Sequence, residues 1–204
     1  MTVQPRLVVL LSGGGTNLQA LLTASAVGRL PADIVAVVSN RPDAYGLERA
    51  RQAGLPAIVL EKHASQTRRD YDVALAAAVA AFQPDWVILA GWMRLLTVAF
   101  LECFPGRVVN LHPALPGMFP GVDAIARAYA AFQLGVLTET GVMVHLVPDE
   151  AVDSGPVLGQ TTVPIYSGDT LADLEARVHA AEHELVVTTL ARLVTDGQGA
   201  LPHE

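Results

Sequence analysis

Asn110 and His112 stand two residues apart in Val108-Val109-Asn110-Leu111-His112-Pro113, at the end of an apolar, β-branched run. In a strand, residues i and i+2 point to the same side, and Pro113 stops an ordinary ladder just beyond them. The run therefore sets an amide and an imidazole side by side at the carboxyl end of a buried strand. In an open parallel sheet that end is where ligands sit. Such a pair can stabilise a developing oxyanion, and the imidazole can exchange protons near neutral pH. Far along the chain, Val152-Asp153-Ser154-Gly155-Pro156 places a carboxylate in a tight turn. Taken alone, Asp153 is a turn former. Folded over the strand end, it would orient His112 and hold it as imidazolium.

A second chemical feature is Ser12-Gly13-Gly14-Gly15-Thr16-Asn17, between an apolar strand and a helix. Glycines let the backbone approach a ligand, and a helix start offers unpaired N–H groups and a positive dipole end. The loop suits a monophosphate. It is not a dinucleotide fingerprint, because Leu18 stands where a third glycine would fall and the second strand ends in Asn40 rather than an acid. No Gly-Lys-Ser/Thr follows, so it is not a P-loop either. A tight turn without a ligand is the plainer alternative. A third candidate, His179-Ala180-Ala181-Glu182-His183, reads H-x-x-E-H, the inverted zinc-peptidase signature. Its two histidines share a helical face, but few residues remain to supply a third ligand, and the flanking Leu185, Val186, Val187 and Leu190 make an ordinary amphipathic helix. His183 then reads as a surface or packing residue, and His145, in Val144-His145-Leu146, as a satisfied strand histidine.

The elements that must carry these groups follow from periodicity. Strands are expected at Leu7–Leu11, Ile34–Val38, Ala57–Leu60, Trp86–Ala90 and Arg107–Leu111, and helices at about Asn17–Ala26, Tyr45–Gln52 and Arg68–Phe82. Arg68-Arg69 can be simply a solvated helix start. Strands alternating with helices at this spacing imply βαβ units and a mainly parallel sheet. After His112 the texture changes. Pro113, Pro116, Gly117, Pro120 and Gly121 make a constrained loop, followed by a helix at about Ala124–Phe132, a strand at Gly141–Val147, an antiparallel partner at Val157–Ile165 and a helix at about Leu171–Val194. The tail after Gly197 is expected to fray.

The chain has 204 residues, 51% hydrophobic and 16% charged, enough to bury a sizeable core. One domain, 1–204, is expected, with a phosphate-binding half to about 105 and a catalytic half from about 106. The net charge of −7 argues against nucleic acid as a partner. It leaves room for small anionic ligands. A single cysteine, Cys103, excludes an internal disulfide and a cysteine metal cluster, and reads as a buried small hydrophobe. No apolar stretch approaches the roughly 20 residues of a membrane span, so no membrane association is expected, and no cleavage site follows the first strand. The expectation is a cytoplasmic protein, monomer or homodimer, acting on small molecules without a metal.

The set of local motifs resembles the glycinamide ribonucleotide formyltransferases. It comprises Ser12-Gly13-Gly14-Gly15-Thr16-Asn17-Leu18-Gln19-Ala20, Ser39-Asn40, Gly46-Leu47-Glu48-Arg49-Ala50, Leu89-Ala90-Gly91-Trp92-Met93-Arg94, Asn110-Leu111-His112-Pro113-Ala114-Leu115, Asp153-Ser154-Gly155-Pro156-Val157 and Arg177-Val178-His179-Ala180-Ala181-Glu182-His183, in the family's order along nearly the whole chain. The resemblance implies an α/β, Rossmann-like open sheet, mostly parallel and twisted, with helices on both faces and an antiparallel C-terminal extension. It implies transfer of a formyl group from 10-formyltetrahydrofolate to the amine of glycinamide ribonucleotide in purine synthesis, with Asn110, His112 and Asp153 as the catalytic set. Gly15, Thr16 and Asn17 would hold the ribonucleotide phosphate, with His179 and Glu182 nearby. Arg68, Met93, Arg94, Leu95 and Leu96 would meet the folate, with Asn110 and the segment Pro148, Asp149, Glu150 to Asp153 closing over the pterin. The chain departs from the family at Ala114-Leu115-Pro116-Gly117, where Ser-Leu-Leu-Pro is usual. It also departs at Asp123, where a histidine is common, and in a longer stretch between Gly121 and Gly141. The tRNA and hydrolase relatives of this core carry extra domains that 204 residues do not hold. A silent nucleotide-binding module would have no need for the three catalytic residues together.

Overall fold

The computed structural model describes residues 4–196, and the expected frayed tail lies outside them. Seven strands form one sheet in the order β3-β2-β1-β4-β5-β6-β7. They are β1 (Arg6–Leu11), β2 (Asp33–Ser39), β3 (Ala57–Val59), β4 (Trp86–Leu89), β5 (Val108–His112), β6 (Glu139–Leu146) and β7 (Val157–Pro164). The first five are parallel, while β6 runs antiparallel to β5 and β7 antiparallel to β6. Strand order reverses at β1, whose two neighbours are β2 and β4, so the crevice for a ligand opens beyond the carboxyl ends of β1 and β4.

Period-two alternation divides the strand residues between two cores. Leu7, Val9, Leu11, Ile88 and Val109 pack under α1 (Thr16–Ala26), α2 (Tyr45–Gln52), α5 (Ala124–Gln133) and α6 (Leu171–Asp196). Val8, Leu10, Val38, Val87 and Leu89 pack under α3 (Arg68–Ala80) and α4 (Val98–Leu101). Because both faces are covered, strand runs such as Leu7–Leu11 are apolar throughout instead of alternating with polar residues.

The short helix α4 has no counterpart in the sequence reading, since four residues carry no helical period. Phe100 and Leu101 point from it into the core, and Cys103, just beyond, is exposed, contrary to the buried role expected of it. The turn that buries Phe100, Leu101 and Phe104 leaves Cys103 on its outer side. Along α6 the buried stripe Leu174, Val178, Glu182, Val186, Leu190 and Val194 recurs every fourth residue and includes one carboxylate. Among the described residues, no helix is long and apolar enough to cross a membrane.

Candidate active site

Three strand ends are bound together by one hydroxyl. Ser12, buried just past the end of β1, donates to Asn40 Oδ1 at 2.6 Å and accepts from the Met93 amide at 2.9 Å. Its own amide donates to the Gly91 carbonyl at 2.9 Å. The glycine loop, the residue after β2 and the segment after β4 are thereby held in register. Farther along, buried Asp72 of α3 accepts from the Thr97 amide at 2.6 Å, so the segment Gly91–Thr97 is pinned near both ends.

The glycine loop delivers the chain into α1 through Gly15, whose φ is +70°. The Gly13 carbonyl accepts from the Gly46 amide at 3.0 Å, and Arg49 Nε donates to the Gly14 carbonyl at 2.9 Å. A Cβ on Gly15 would lie 2.6 Å from Gly46 Cα, so the loop and α2 touch backbone to backbone. Thr16 is exposed and Asn17 buried at the start of α1. Thr16, Gln19 and Arg49 share a groove with Ala180, His183 and Glu184 of α6. His179 Nδ1 lies 2.6 Å from Glu182 Oε2, and Glu182 is buried. That hydrogen bond raises the histidine above its ordinary value against the opposing effect of burial. Among the described residues, no group of three or more His, Cys, Asp or Glu is placed to hold a metal ion.

At the end of β5 the structure brings Asn110, His112 and Asp153 together. Asp153 sits in the loop after β6, with φ of +49°, a conformation that Asp tolerates better than most residues. Its Oδ1 accepts from Asn110 Nδ2 at 3.0 Å, its Oδ2 accepts from the Gly121 amide at 2.8 Å, and His112 Nδ1 lies 3.3 Å from Oδ2. Gly155 allows the loop to come this close, because a Cβ there would run into the Leu146 carbonyl and Pro148 Cδ. His112 Nε2 faces the Phe119 carbonyl at 3.1 Å. Phe119 and Asp123 also have positive φ, so left-handed non-glycine residues gather around the site.

The imidazole differs from the sequence expectation. Burial pulls the His112 pKa below its ordinary value and outweighs Asp153, which pushes it up together with the Phe119 and Met118 carbonyls. Burial thus favours the neutral ring at rest, although acceptors face both of its nitrogens. A neutral ring satisfies only one of them; a protonated ring satisfies both. For Asp153, burial raises the pKa, but a hydrogen bond from His145, the Gly121 amide and the charges of His112 and His145 together bring it below the ordinary carboxylate value.

Sequence reasoning missed His145. It is buried on β6 directly opposite Asn110 in the antiparallel register, with Nε2 3.2 Å from Asn110 Nδ2 and 3.5 Å from Asp153 Oδ1. A neighbour 35 residues away shows no local signal.

The other expected residues lie along the same edge. Met93 and Leu95 are exposed and apolar, Leu96 is buried, and the Arg94 guanidinium stands 4.9 Å over the Tyr71 ring of α3. Arg68 is exposed at the first position of α3. Pro148 and Asp149 are exposed, and Asp149 Oδ1 accepts from the Ala151 amide at 2.8 Å. Glu150 Oε1 accepts from the Val98 amide at 2.9 Å, tying the Asp153 loop to α4. The two carboxylates thus hold the loop's shape.

Residues 5–190 match the family model described as Formyl transferase. A Schizosaccharomyces pombe phosphoribosylglycinamide formyltransferase is 43% identical over 94% of this chain and 98% of its own length. The Escherichia coli phosphoribosylglycinamide formyltransferase is 41% identical over 88% of this chain and 82% of its own. The crystal structure of glycinamide ribonucleotide transformylase 1 from Symbiobacterium toebii superposes with a TM-score of 0.90 at 41% identity, covering 98% of this chain and 91% of that one. The chain belongs to the formyl transferase family, in its phosphoribosylglycinamide formyltransferase branch.

Proposed function

We propose that the protein transfers the formyl group of 10-formyltetrahydrofolate to the amine of phosphoribosylglycinamide. The products are phosphoribosyl-N-formylglycinamide and tetrahydrofolate, a step of purine (IMP) biosynthesis. The observation that carries this reading is the convergence of Asn110, His112 and Asp153 within hydrogen-bond reach at the end of β5.

The folate supplies an activated formyl carbon, which the substrate amine attacks directly. The neutral His112 ring keeps its hydrogen on Nδ1, toward Asp153, so Nε2 accepts the proton of the amine as it bonds to carbon. The protonated Nε2 then donates to the developing oxyanion, with the Asn110 amide on its other side. Asp153 then holds the imidazolium by its opposite charge. The proton passes on to the leaving folate nitrogen, directly or through a water. The work divides along the sheet. The half up to about residue 105 presents the N–H groups of Gly15, Thr16 and Asn17 to the phosphate, with His179 and Glu182 nearby. The half from about 106 carries the catalytic groups and the loop Pro148 to Asp153 over the pterin, which lies against Met93, Arg94, Leu95 and Leu96, with Arg68 beyond. Both substrates are small molecules, and no step calls on a metal or nucleic acid. The reading is tested by incubating purified protein with 10-formyltetrahydrofolate, with and without phosphoribosylglycinamide. Tetrahydrofolate release that depends on the amine supports it; release that is the same in both overturns it.

Two further expectations arise here. Ser12→Ala removes the donor to Asn40 and the acceptor for the Met93 amide. At about 1 kcal/mol net per hydrogen bond, the KM for the formyl donor should rise roughly 5- to 30-fold with kcat little changed; steady-state kinetics check it. His179 carries charge that an anionic phosphate would attract. Its folded-state pKa is raised, so the charge and the stability contributed by its pair with Glu182 are complete below the ordinary value of 6.5 and are lost as pH rises through the raised value. Glu182, Glu175 and His183 are the titratable groups acting on it. The KM for the ribonucleotide should therefore climb over that pH range, whereas in His179→Lys, charged to about pH 10, it should stay flat. An identical climb in both proteins would remove His179 from the phosphate site.

A further inference from the structure

We propose that Tyr71 is a positioning residue for the formyl donor, its ring face holding the Arg94 guanidinium ready for the folate. The proposal rests on the function given above, in which the folate lies against Arg94, and extends it to a buried residue of α3.

Three observations lead to it. First, the Arg94 guanidinium stands 4.9 Å from the centre of the Tyr71 ring, within the range of a cation–π contact. Second, Arg94 is held differently from other arginines of the chain. Arg177 pairs with Asp169, Arg29 pairs with Glu184, and Arg49 donates to the Gly14 carbonyl. Among the described residues, no carboxylate forms an ion pair with Arg94. Third, the ring is fixed at both ends. Tyr71 is 1% exposed on α3, and its hydroxyl donates to the Leu60 carbonyl at 2.8 Å. Burial pushes the phenol up to about 12, so the hydroxyl keeps its hydrogen for that bond.

The contacts around Arg94 leave this task to the ring. Ser12 holds the Met93 amide, and Asp72, the residue next to Tyr71 on α3, holds the Thr97 amide. These bonds fix the backbone on either side of Arg94. They do not fix its long side chain, whose rotamer freedom a ligand would otherwise have to remove. A ring face attracts the cation through its negative quadrupole without neutralising it. The charge of the guanidinium therefore stays available to acceptor atoms of the folate, whereas an acidic partner would consume it. A side chain ordered beforehand binds more tightly than one that must be ordered on binding. From the usual strength of such contacts, losing the ring's attraction should weaken donor binding about 3- to 30-fold.

The test compares Tyr71→Phe and Tyr71→pentafluorophenylalanine in the full chain, each in the wild-type and in the Arg94→Ala background, by steady-state kinetics with both substrates. Both variants lose the bond to the Leu60 carbonyl, so any loss of stability from it is common to the two. They differ in the ring face, which fluorination makes electron-poor. Tyr71→Phe should keep the KM for the formyl donor within about twofold of wild type, because its ring still attracts the cation. Tyr71→pentafluorophenylalanine should raise that KM about 3- to 30-fold over Tyr71→Phe, with kcat and the ribonucleotide KM within about twofold. In the Arg94→Ala background the donor KM values of the two variants should agree within about twofold, since the positioned cation is gone. Equal donor KM values with Arg94 present, or the same difference with Arg94 absent, overturn the proposal. So does a fluorinated variant in which kcat and both KM values worsen together, the mark of a general packing defect. Absence of amine-dependent transfer in the wild-type protein overturns the functional reading itself, which separates the two failures.

Discussion

His112→Ala should lower kcat on the order of 1,000-fold, with the KM values for both substrates changing by no more than a few-fold. In the proposed transfer the ring has two linked tasks at Nε2, accepting the proton of the attacking amine and then donating it to the oxyanion. Loss of one oxyanion donor costs about 100- to 1,000-fold and loss of a positioned base about 100- to 10,000-fold. The two losses do not multiply, because one group performs both tasks. Asp153→Asn belongs to the same experiment. Asp153 accepts from the Asn110 side chain and from the Gly121 amide and also faces His112. An asparagine has one oxygen for these donors, so one contact fails, and it offers no charge to an imidazolium. Its kcat should fall by about 100-fold or more. Since His112 is held neutral at rest by burial, the defect should lie in catalysis, and thermal melting of both variants should stay near that of the wild type. Near-normal turnover in either variant removes these residues from the chemistry.

Gly15→Ala is the largest expected change in stability. Gly15 is the hinge into α1, at φ +70°, and a methyl group there meets Gly46 Cα at 2.6 Å. The left-handed conformation costs an alanine about 1–2 kcal/mol, and forcing apart two close-packed segments costs about 1–3 kcal/mol more. At about 2–4 °C per kcal/mol for a chain of this size, the melting temperature should fall by roughly 4–20 °C. The contact is with backbone, which cannot rotate away as a side chain can, so the strain moves the loop itself. Ribonucleotide binding should weaken with it. A Gly15→Ala variant with wild-type melting and wild-type ribonucleotide KM would show that the approach of Gly15 to Gly46 is not needed.

The sequence made the parallel sheet readable because its two covered faces leave strand runs such as Leu7–Leu11 and Trp86–Leu89 apolar throughout, and because glycines and prolines punctuate them. Asn110 and His112 were visible for a local reason: two-residue alternation at a strand end closed by a proline. Asp153 was visible only as a turn former, and the resemblance to a family was needed to bring it to the strand. What escaped sequence reasoning depends on atoms that residue types do not announce. The Phe119 carbonyl and the Gly121 amide are backbone groups delivered by a loop. His145 reaches Asn110 through a cross-strand register set by β6. The neutral state of His112 follows from burial, a property of the folded interior, and it reverses the charge expected from the Asp153 pairing alone. Glu150, expected to meet a ligand, also caps the start of α4 with its carboxylate, a helix too short to leave a period in the sequence.

The proposed transfer runs directly from the folate to the substrate amine in a site formed by Asn110, His112 and Asp153. A single-turnover reaction with a ¹³C-labelled formyl donor, followed by NMR, tests it most directly. All of the label should appear as the N-formyl group of the ribonucleotide, one per enzyme-bound donor, and Asp153→Asn and His112→Ala should slow this transfer without diverting it. Label appearing as free formate at the wild-type rate, or transfer proceeding unchanged in both variants, would contradict it.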